Sequence, residues 1–317
     1  MNTEEKNPRR SRFPVLRAAR WLLFLLFIAA GLMWRQRFAP NPHDLDFGGQ
    51  RLSALLHEHP SVYRPAVQAL GTNALPFLLT ELQVTDPAWL KWAEHALGEF
   101  GPRWEPARDR RYHARLGLQI LDTNALPALL TAAFTQPIRL AEGDLGFEAA
   151  FALTWLASPV AKETIQQKLA TTMRSPDATR RRNACLVIAS GNFCSTNNAA
   201  QLAVLTRDAE PAVRAAATRA AHFYNQDESV LLPAVIERLG DEHAIIRQLA
   251  ADALCGRGTN AVAALPALKA ALAAEPTRPR GADHLDDNLT RAPSPDWVSA
   301  CLQETIRAIE NPTAARK

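Results

Sequence analysis

The chain has 317 residues, of which 47% are hydrophobic but only 7% aromatic, and its formal net charge is +4. Ala and Leu supply most of the apolar residues, and both favour helices because they lose little side-chain entropy there. This composition, with only 14 Gly and few β-branched runs, excludes an all-β fold and a Gly-rich phosphate-binding enzyme.

The positive charge is concentrated at the N-terminus. Residues 1–37 contain eight of the 36 basic residues and two of the 32 acidic ones, a net charge of +6, so the remaining residues carry −2. A basic chain invites a nucleic-acid partner, but a faintly acidic body disfavours one. We interpret residues 1–20 as a basic cytoplasmic tail.

An uninterrupted apolar run, Trp21 to Trp34, follows the basic tail. As a helix it would rise about 21 Å, less than the roughly 30 Å of a bilayer core, but the flanking arginines can snorkel and extend it. We predict a single-pass anchor over 21–34 in a bacterial inner membrane. The positive-inside rule leaves the N-terminus in the cytoplasm and the rest of the chain in the periplasm or another extracytoplasmic compartment. A cleaved signal peptide and a buried helix are the alternatives.

Residues 38–49 are rich in Pro, Asn and Gly, which oppose a helix, and are predicted as a linker. A short repeated string then marks the start of successive helices. Gly-Thr-Asn-Ala-Leu-Pro at 71–76 returns as Asp-Thr-Asn-Ala-Leu-Pro at 122–127 and, degraded, at 258–266. In each copy the Asn is expected to cap the next helix, and the Pro to fall in its first turn.

A second regularity fixes the repeat length. Arg181, Arg214 and Arg247 lie 33 residues apart, and each is followed three positions later by Ala, as is Arg111. An acid precedes three of these arginines by six residues: Glu105, Asp208 and Asp241. We predict a structural ladder in which the acid of each inter-helix turn pairs with the arginine of the helix that follows it.

These features resemble the HEAT repeat, in the bacterial form grouped with phycobilisome-lyase-like proteins. The segment 231–254, LLPAVIERLGDEHAIIRQLAADAL, has the family's apolar first helix, the Asp in the turn, the Ile-Arg pair and the Ala-rich second helix. The resemblance covers about residues 60–311, with 143–176 matching poorly, and 50–83 is similar to the opening of membrane-anchored bacterial HEAT proteins. It implies an all-α fold: an α-solenoid of HEAT-like helix pairs over 50–311, preceded by one transmembrane helix.

Two stretches interrupt the array. Residues 82–105 contain an amphipathic segment that is predicted to add one helix. Residues 273–295 are rich in Pro and charge and are predicted as an exposed loop inserted into the last helix pair. Residues 312–317 are expected to fray.

The sequence offers little catalytic chemistry. The four Cys have no C-x-x-C spacing, and three of them, Cys185, Cys255 and Cys301, fall in Ala-rich helices where Cys packs as a small apolar residue. Neither H-E-x-x-H nor a nucleophile or phosphate-binding motif is present. We assign no catalytic residue, no metal and no cofactor, and see no small-molecule substrate.

The most basic stretch of the body, 103–115 (RWEPARDRRYHAR), has two interpretations. It could be an anion-binding patch with stacking aromatics, as in HEAT-like proteins that bind DNA. We favour the other interpretation, in which Arg111 belongs to the ladder and the remaining arginines form a solvated helix face.

A candidate binding face follows from the register of the ladder. In HEAT repeats the second helices line the concave side, and positions one, five and eight residues after the ladder arginine share a face. This face is predicted to expose Arg182, Leu186 and Ala189 in one repeat, Ala215, Arg219 and His222 in the next, then Gln248, Asp252 and Cys255. The alanines three positions after the arginine should instead be buried.

Architecture and mixed charge together favour a non-enzymatic scaffold that binds a protein in the groove of the solenoid. A lyase-like enzyme or accessory factor acting on a protein, and a nucleic-acid-binding HEAT-like protein, are the alternatives.

Overall fold

A computed structural model describes residues 41–86, 107–191, 193, 195–224, 228–277 and 295–311. The described chain is largely helical. It begins with a two-stranded antiparallel hairpin, β1 (Asp46–Phe47) and β2 (Gln50–Arg51), and two helices, α1 (Leu52–Leu55) and α2 (Pro60–Leu70). The rest is a series of helix pairs.

The helices of each pair belong to two layers. The first helices are α3 (Leu75–Glu81), α5 (Leu126–Thr135), α7 (Pro159–Thr172), α9 (Thr196–Leu205), α11 (Glu228–Arg238) and α13 (Leu265–Ala274). The second helices are α4 (Ala107–Leu121), α6 (Leu145–Leu153), α8 (Ala178–Ala189), α10 (Pro211–His222), α12 (Ala244–Cys255) and α14 (Pro295–Glu310). Each second helix packs on its own first helix and on the second helices beside it, as expected for stacked HEAT-like pairs.

Small residues allow the second helices to approach one another closely. Ala184, Ala217 and Ala250, three positions after the ladder arginines, are fully buried, which confirms the prediction for them. The same layer contains long runs of buried alanine, including residues 215–217 on α10. An alanine-rich core gives each residue little apolar area, so stability depends on repeats stacking into one continuous core.

The Asn residues of the repeated Thr-Asn-Ala-Leu string do not cap the helices that follow, contrary to the prediction. Its Asn residues lie in short 3₁₀ turns, and the first helices that follow have Ala at the N-cap, with no side-chain cap hydrogen bond. The Pro does fall in the first turn of each helix, as predicted. What the three copies share is a left-handed residue at the first position, with φ of 54° at Gly71, 45° at Asp122 and 53° at Gly258. The chain reverses there, at a conformation that glycine and aspartate tolerate best.

The predicted linker 38–49 is attached to the first repeat over the part that the structure describes. Asn41 donates through Nδ2 to the Glu81 carboxylate at 2.9 Å, and Asp44 accepts hydrogen bonds from the main chain and hydroxyl of Ser53 at 3.0 and 2.7 Å. Residues 41–49 therefore form a docked turn and hairpin rather than a free spacer. As predicted, they contain no helix.

Several predicted segments lie outside the described residues. They include the tail at 1–20, the anchor at 21–34, most of the added helix at 82–105, residues 278–294 of the inserted loop, and the end at 312–317. Residues 273–277 of that loop belong to the end of α13 and a 3₁₀ turn, Glu275–Thr277. Within the described ranges, no helix is both long and apolar enough to span a bilayer.

Candidate functional site

The ladder arginines connect neighbouring repeats and so fix the positions of the second helices. On α10, Arg214 Nε donates to Asp241 Oδ2 at 2.9 Å, while its Nη1 donates to the carbonyl oxygens of Asp208 and Ala209 at 3.2 and 3.3 Å. On α8, Arg181 bonds the Asp208 carboxylate at 2.7 and 2.9 Å, and carbonyls at the same offsets in its own turn. Each arginine thus joins its own turn to the acid of the next repeat.

The predicted pairing of the arginine with the acid six residues before it is therefore wrong for Arg214 and Arg247. Asp241 precedes Arg247 by six residues, but its carboxylate is bonded by Arg214 and Arg238. Arg247 instead binds the carboxylate of Glu275, after α13, and reaches position 241 only through the carbonyl oxygen, at 2.9 Å. The turn presents its carbonyls to the helix that follows and its carboxylate to the preceding repeat.

Two of the ladder carboxylates, Asp241 and Asp208, have lowered pKa values. Burial acts to raise the pKa of Asp241, whose side chain is 2% exposed, but hydrogen bonds from Arg214 and the His243 amide outweigh it, so this pKa lies below its ordinary value. The pKa of Asp208 is lowered in the same way, with Arg181 opposing burial. Asp241, Glu242 and His243 bring potential metal ligands within 4.8 Å of one another, but Arg214 bonds both carboxylates, so we assign this group to the ladder.

Arg111 occupies the equivalent position on α4. Its Nη1 donates to the carbonyl oxygen of Val84 at 2.6 Å, and its Nε lies 3.2 Å from Oε1 of Glu148 on α6. This contact resembles those of the later ladder arginines, since it also joins the preceding turn to an acid of the next repeat. Glu105, the predicted partner, lies outside the described residues.

Two other arginines of the basic stretch 103–115 are also internal. Arg110 contacts both oxygens of the Glu81 carboxylate at 2.7 Å, and Arg115 pairs with Glu148, whose side chain is almost fully buried. Only Arg108, 82% exposed, fits the predicted solvated face among the described arginines of this stretch. The stretch therefore holds repeats together, and Arg110 and Arg115 are not available to an external anion.

A groove of about 520 Å³ lies on the second-helix face where α10, α12 and α14 meet. Its lining, which defines the α10–α14 groove, includes Arg219, His222, Phe223, Asp252, Cys301 and Glu304. His222 Nδ1 lies 3.2 Å from the carbonyl oxygen of Asp252, which ties α10 to α12 at one wall. Gly256 permits this approach, because a Cβ there would lie 3.1 Å from the His222 ring.

The structure brings part of the predicted binding face into this groove. Arg219 and Asp252, five positions after their ladder arginines, and His222 and Cys255, eight positions after, all line it. Gln248 is half-buried on α12, outside the lining. The groove also includes Phe223, 45% exposed, and the α14 residues Cys301, Glu304 and Thr305, which the sequence reasoning missed. The α14 residues were missed because α14 has no ladder arginine to fix its register.

The other predicted face residues are not exposed. Arg182 is 4% exposed and donates through Nη1 to the carbonyl oxygen of Ile138 at 3.0 Å, so its place on an open binding face is wrong. Beside it, Asn183 bonds the main chain of the same segment at Ile138 and Gln136. Leu186 and Ala215 are buried and Ala189 is half-buried. Arg182 reaches the preceding repeat, where the connection from α5 to α6 lies beside α8.

The groove combines a desolvated cation with protonated thiols. Burial lowers the pKa of the Arg219 guanidinium. Burial, together with the negative charge of Asp252, raises the pKa of Cys301 to about 12, and the thiol donates to Asp252 Oδ1 at 3.2 Å. Burial and Glu304 raise the pKa of Cys255. Both thiols are therefore uncharged near neutral pH, as poor nucleophiles.

A second groove, of about 540 Å³, lies on the other layer between α5 and α7. It carries the cations Lys168, Arg174 and Arg180. The hydroxyls of Thr131, Thr135 and Thr171 donate within their own helices, as in Thr131 to Pro127 at 2.8 Å. Arg180 lies 3.7 Å from Asp177. Because these groups are exposed or already engaged, we regard the α10–α14 groove as the better candidate site.

The family comparison agrees with this architecture. Residues 198–283, which contain α10, α11, α12 and α13, match the family model for HEAT repeats. The match and the stacked helix pairs together support a HEAT-repeat protein with an α-solenoid fold. No curated protein and no solved structure matches the chain.

Proposed function

We propose that the chain is a membrane-anchored scaffold that binds another protein through the α10–α14 groove. The observation that carries the proposal is the make-up of the groove, which sets a half-buried Arg219 and an exposed Phe223 beside the carboxylates of Asp252 and Glu304. Arginine and aromatic residues are enriched at the energetic centres of protein interfaces. Solenoids use such surfaces, which span several repeats, to bind extended partners.

The anchor and the orientation are part of this proposal. The apolar run at 21–34 and the cluster of basic residues before it favour a single pass through a bacterial inner membrane, with the repeats on the periplasmic or other extracytoplasmic side. In this arrangement the groove is presented to partners outside the cytoplasm. The phycobilisome-lyase-like type of HEAT protein remains a resemblance that the repeats suggest.

The alternative functions receive less support from the site. A nucleic-acid partner at the basic stretch 103–115 would need free cations there, but Arg110, Arg111 and Arg115 pair with Glu81 and Glu148. A lyase-like or accessory role would need a reactive group, but the thiols of the groove are held protonated by burial and nearby carboxylates. A protein-binding role requires neither.

Site-specific photo-crosslinking in intact cells tests the proposal. A photoreactive phenylalanine analogue at Phe223 should yield a discrete adduct with a partner protein. The matched control is Val204, which is 59% exposed on the first helix α9 and so faces away from the second-helix layer. Adducts from position 204 and none from position 223 would place the binding surface on the other layer and refute the proposal.

A further inference from the structure

Arg219 differs from the other shielded arginines of this protein. Ten arginines are buried or half-buried among the described residues, and nine of them donate to a carboxylate or carbonyl oxygen: Arg110, Arg111, Arg115, Arg181, Arg182, Arg214, Arg238, Arg247 and Arg257. Arg219, the tenth, has no hydrogen-bond or ion-pair partner within the described parts of the chain. It lines the α10–α14 groove instead.

An unpaired, partly desolvated guanidinium is costly to maintain. Taking a charge out of water is unfavourable unless a counter-charge or hydrogen-bond acceptors replace the lost solvent. Burial disfavours the charged form of the Arg219 guanidinium and so lowers its pKa. A carboxylate brought to the guanidinium by a ligand would restore both charge compensation and the acceptors, in the planar geometry that suits this pair best.

The carboxylates of the groove itself lie one or two helices away. Asp252 holds on α12 the position that Arg219 holds on α10, 33 residues earlier, so the two are separated by about one interhelical spacing of 8–10 Å. Asp252 accepts the Cys301 thiol, and Glu304 is exposed on α14. The groove therefore changes from positive at α10 to negative at α12 and α14, and Phe223 and Leu249 add apolar surface to its lining.

We infer that the partner protein inserts an extended segment with an acidic side chain on Arg219 and a basic side chain facing Asp252 and Glu304. This inference rests on the proposed function and specifies the chemistry of the partner. An extended chain rises about 3.3 Å per residue, so two to four residues separate the acidic and basic side chains. An apolar residue between them would pack on Phe223 and Leu249. A polyanion does not fit, because the carboxylates of α12 and α14 would repel it.

Selection from a random peptide library tests the inference on the full-length protein in detergent micelles. Peptides that the wild-type protein enriches should share Asp or Glu with Lys or Arg a few positions away. Arg219→Gln should weaken the binding of an enriched peptide by about tenfold or more, the loss of one charge-assisted contact. The charge reversal Arg219→Glu should select a basic residue where the wild-type protein selects an acidic one.

Two controls separate this contact from effects on folding. Arg174→Gln removes an exposed cation on the other layer and should change the affinity by less than about twofold. Replacing the acidic residue of an enriched peptide by its amide should give the same loss of about tenfold on the wild-type protein, with no change to the protein.

The outcomes distinguish this inference from the proposed function. Enriched peptides that lack an acidic residue, or that bind Arg219→Gln as tightly as the wild type, overturn the inference while leaving the groove as a binding site. The absence of any enriched peptide, together with no crosslink from position 223, overturns both.

Discussion

Removal of Arg247 should be the most informative test of the ladder. Arg247 is 4% exposed and donates two hydrogen bonds to Glu275, itself buried, and two more to the carbonyl oxygens of Asp241 and Glu242 at 2.9 and 3.0 Å. Arg247→Ala removes the guanidinium that pairs with the buried Glu275 carboxylate, which costs about 3–5 kcal/mol. Glu275→Ala should cost less, because the guanidinium keeps its two carbonyl acceptors. The double variant should be more stable than the sum of the single effects predicts, by about 1–3 kcal/mol.

Hydrogen exchange followed by mass spectrometry measures the local free energy of opening in peptides from α12 and α14. A local measurement is needed because repeat proteins can open in one region without unfolding elsewhere. The matched control is the cycle of Arg247→Ala with Asp241→Asn, because Arg247 touches only the backbone at position 241, which Asn preserves. That cycle should be closer to additive. Strong coupling to Asp241 together with additivity to Glu275 would refute the ladder register described above.

The pKa of Asp241 is lowered in the folded state, so the stability that its carboxylate contributes is present above about pH 4 and is lost as the pH falls through the folded pKa. Asp241→Asn should therefore flatten the dependence of the urea unfolding midpoint on pH below about 4. An unchanged slope would contradict this prediction. Arg182→Ala should lower the free energy of unfolding by about 1–3 kcal/mol, since the Ile138 carbonyl loses its donor, whereas Arg174→Ala should cost less than about 0.5 kcal/mol. Alkaline phosphatase fused after Lys317 should be active if the repeats are exported, and a silent phosphatase with an active cytoplasmic reporter would reverse the proposed orientation.

Local periodicity accounts for what the sequence predicted well. The spacing of 33 residues between ladder arginines, and the alanine three positions after each, report the register of a helix against its own repeat. The burial of Ala184, Ala217 and Ala250 follows from that register, and so does the placement of Arg219 and Asp252 at equivalent points on neighbouring helices. These relations depend on 3.6 residues per turn and on nothing distant in the chain.

The contacts that the sequence mispredicted are those between repeats. Arg247 has an acid six residues before it and another 28 residues after it, and only the stacking of one pair on the next shows that it binds Glu275 rather than Asp241. Arg182 is buried because the connection between α5 and α6 is extended enough to reach it, a fact about another repeat.

By itself, the sequence determined the class of fold, the repeat length and which arginine on each second helix belongs to the ladder, because these are encoded in helical periodicity and turn chemistry. The tertiary structure alone decided which carboxylate each arginine meets and that α14 completes the groove beside Arg219. The physical reason is that a charged side chain several bonds long can reach either of two turns. Packing of the alanine-rich second helices, which sets the distance and rotation between repeats, selects one of them.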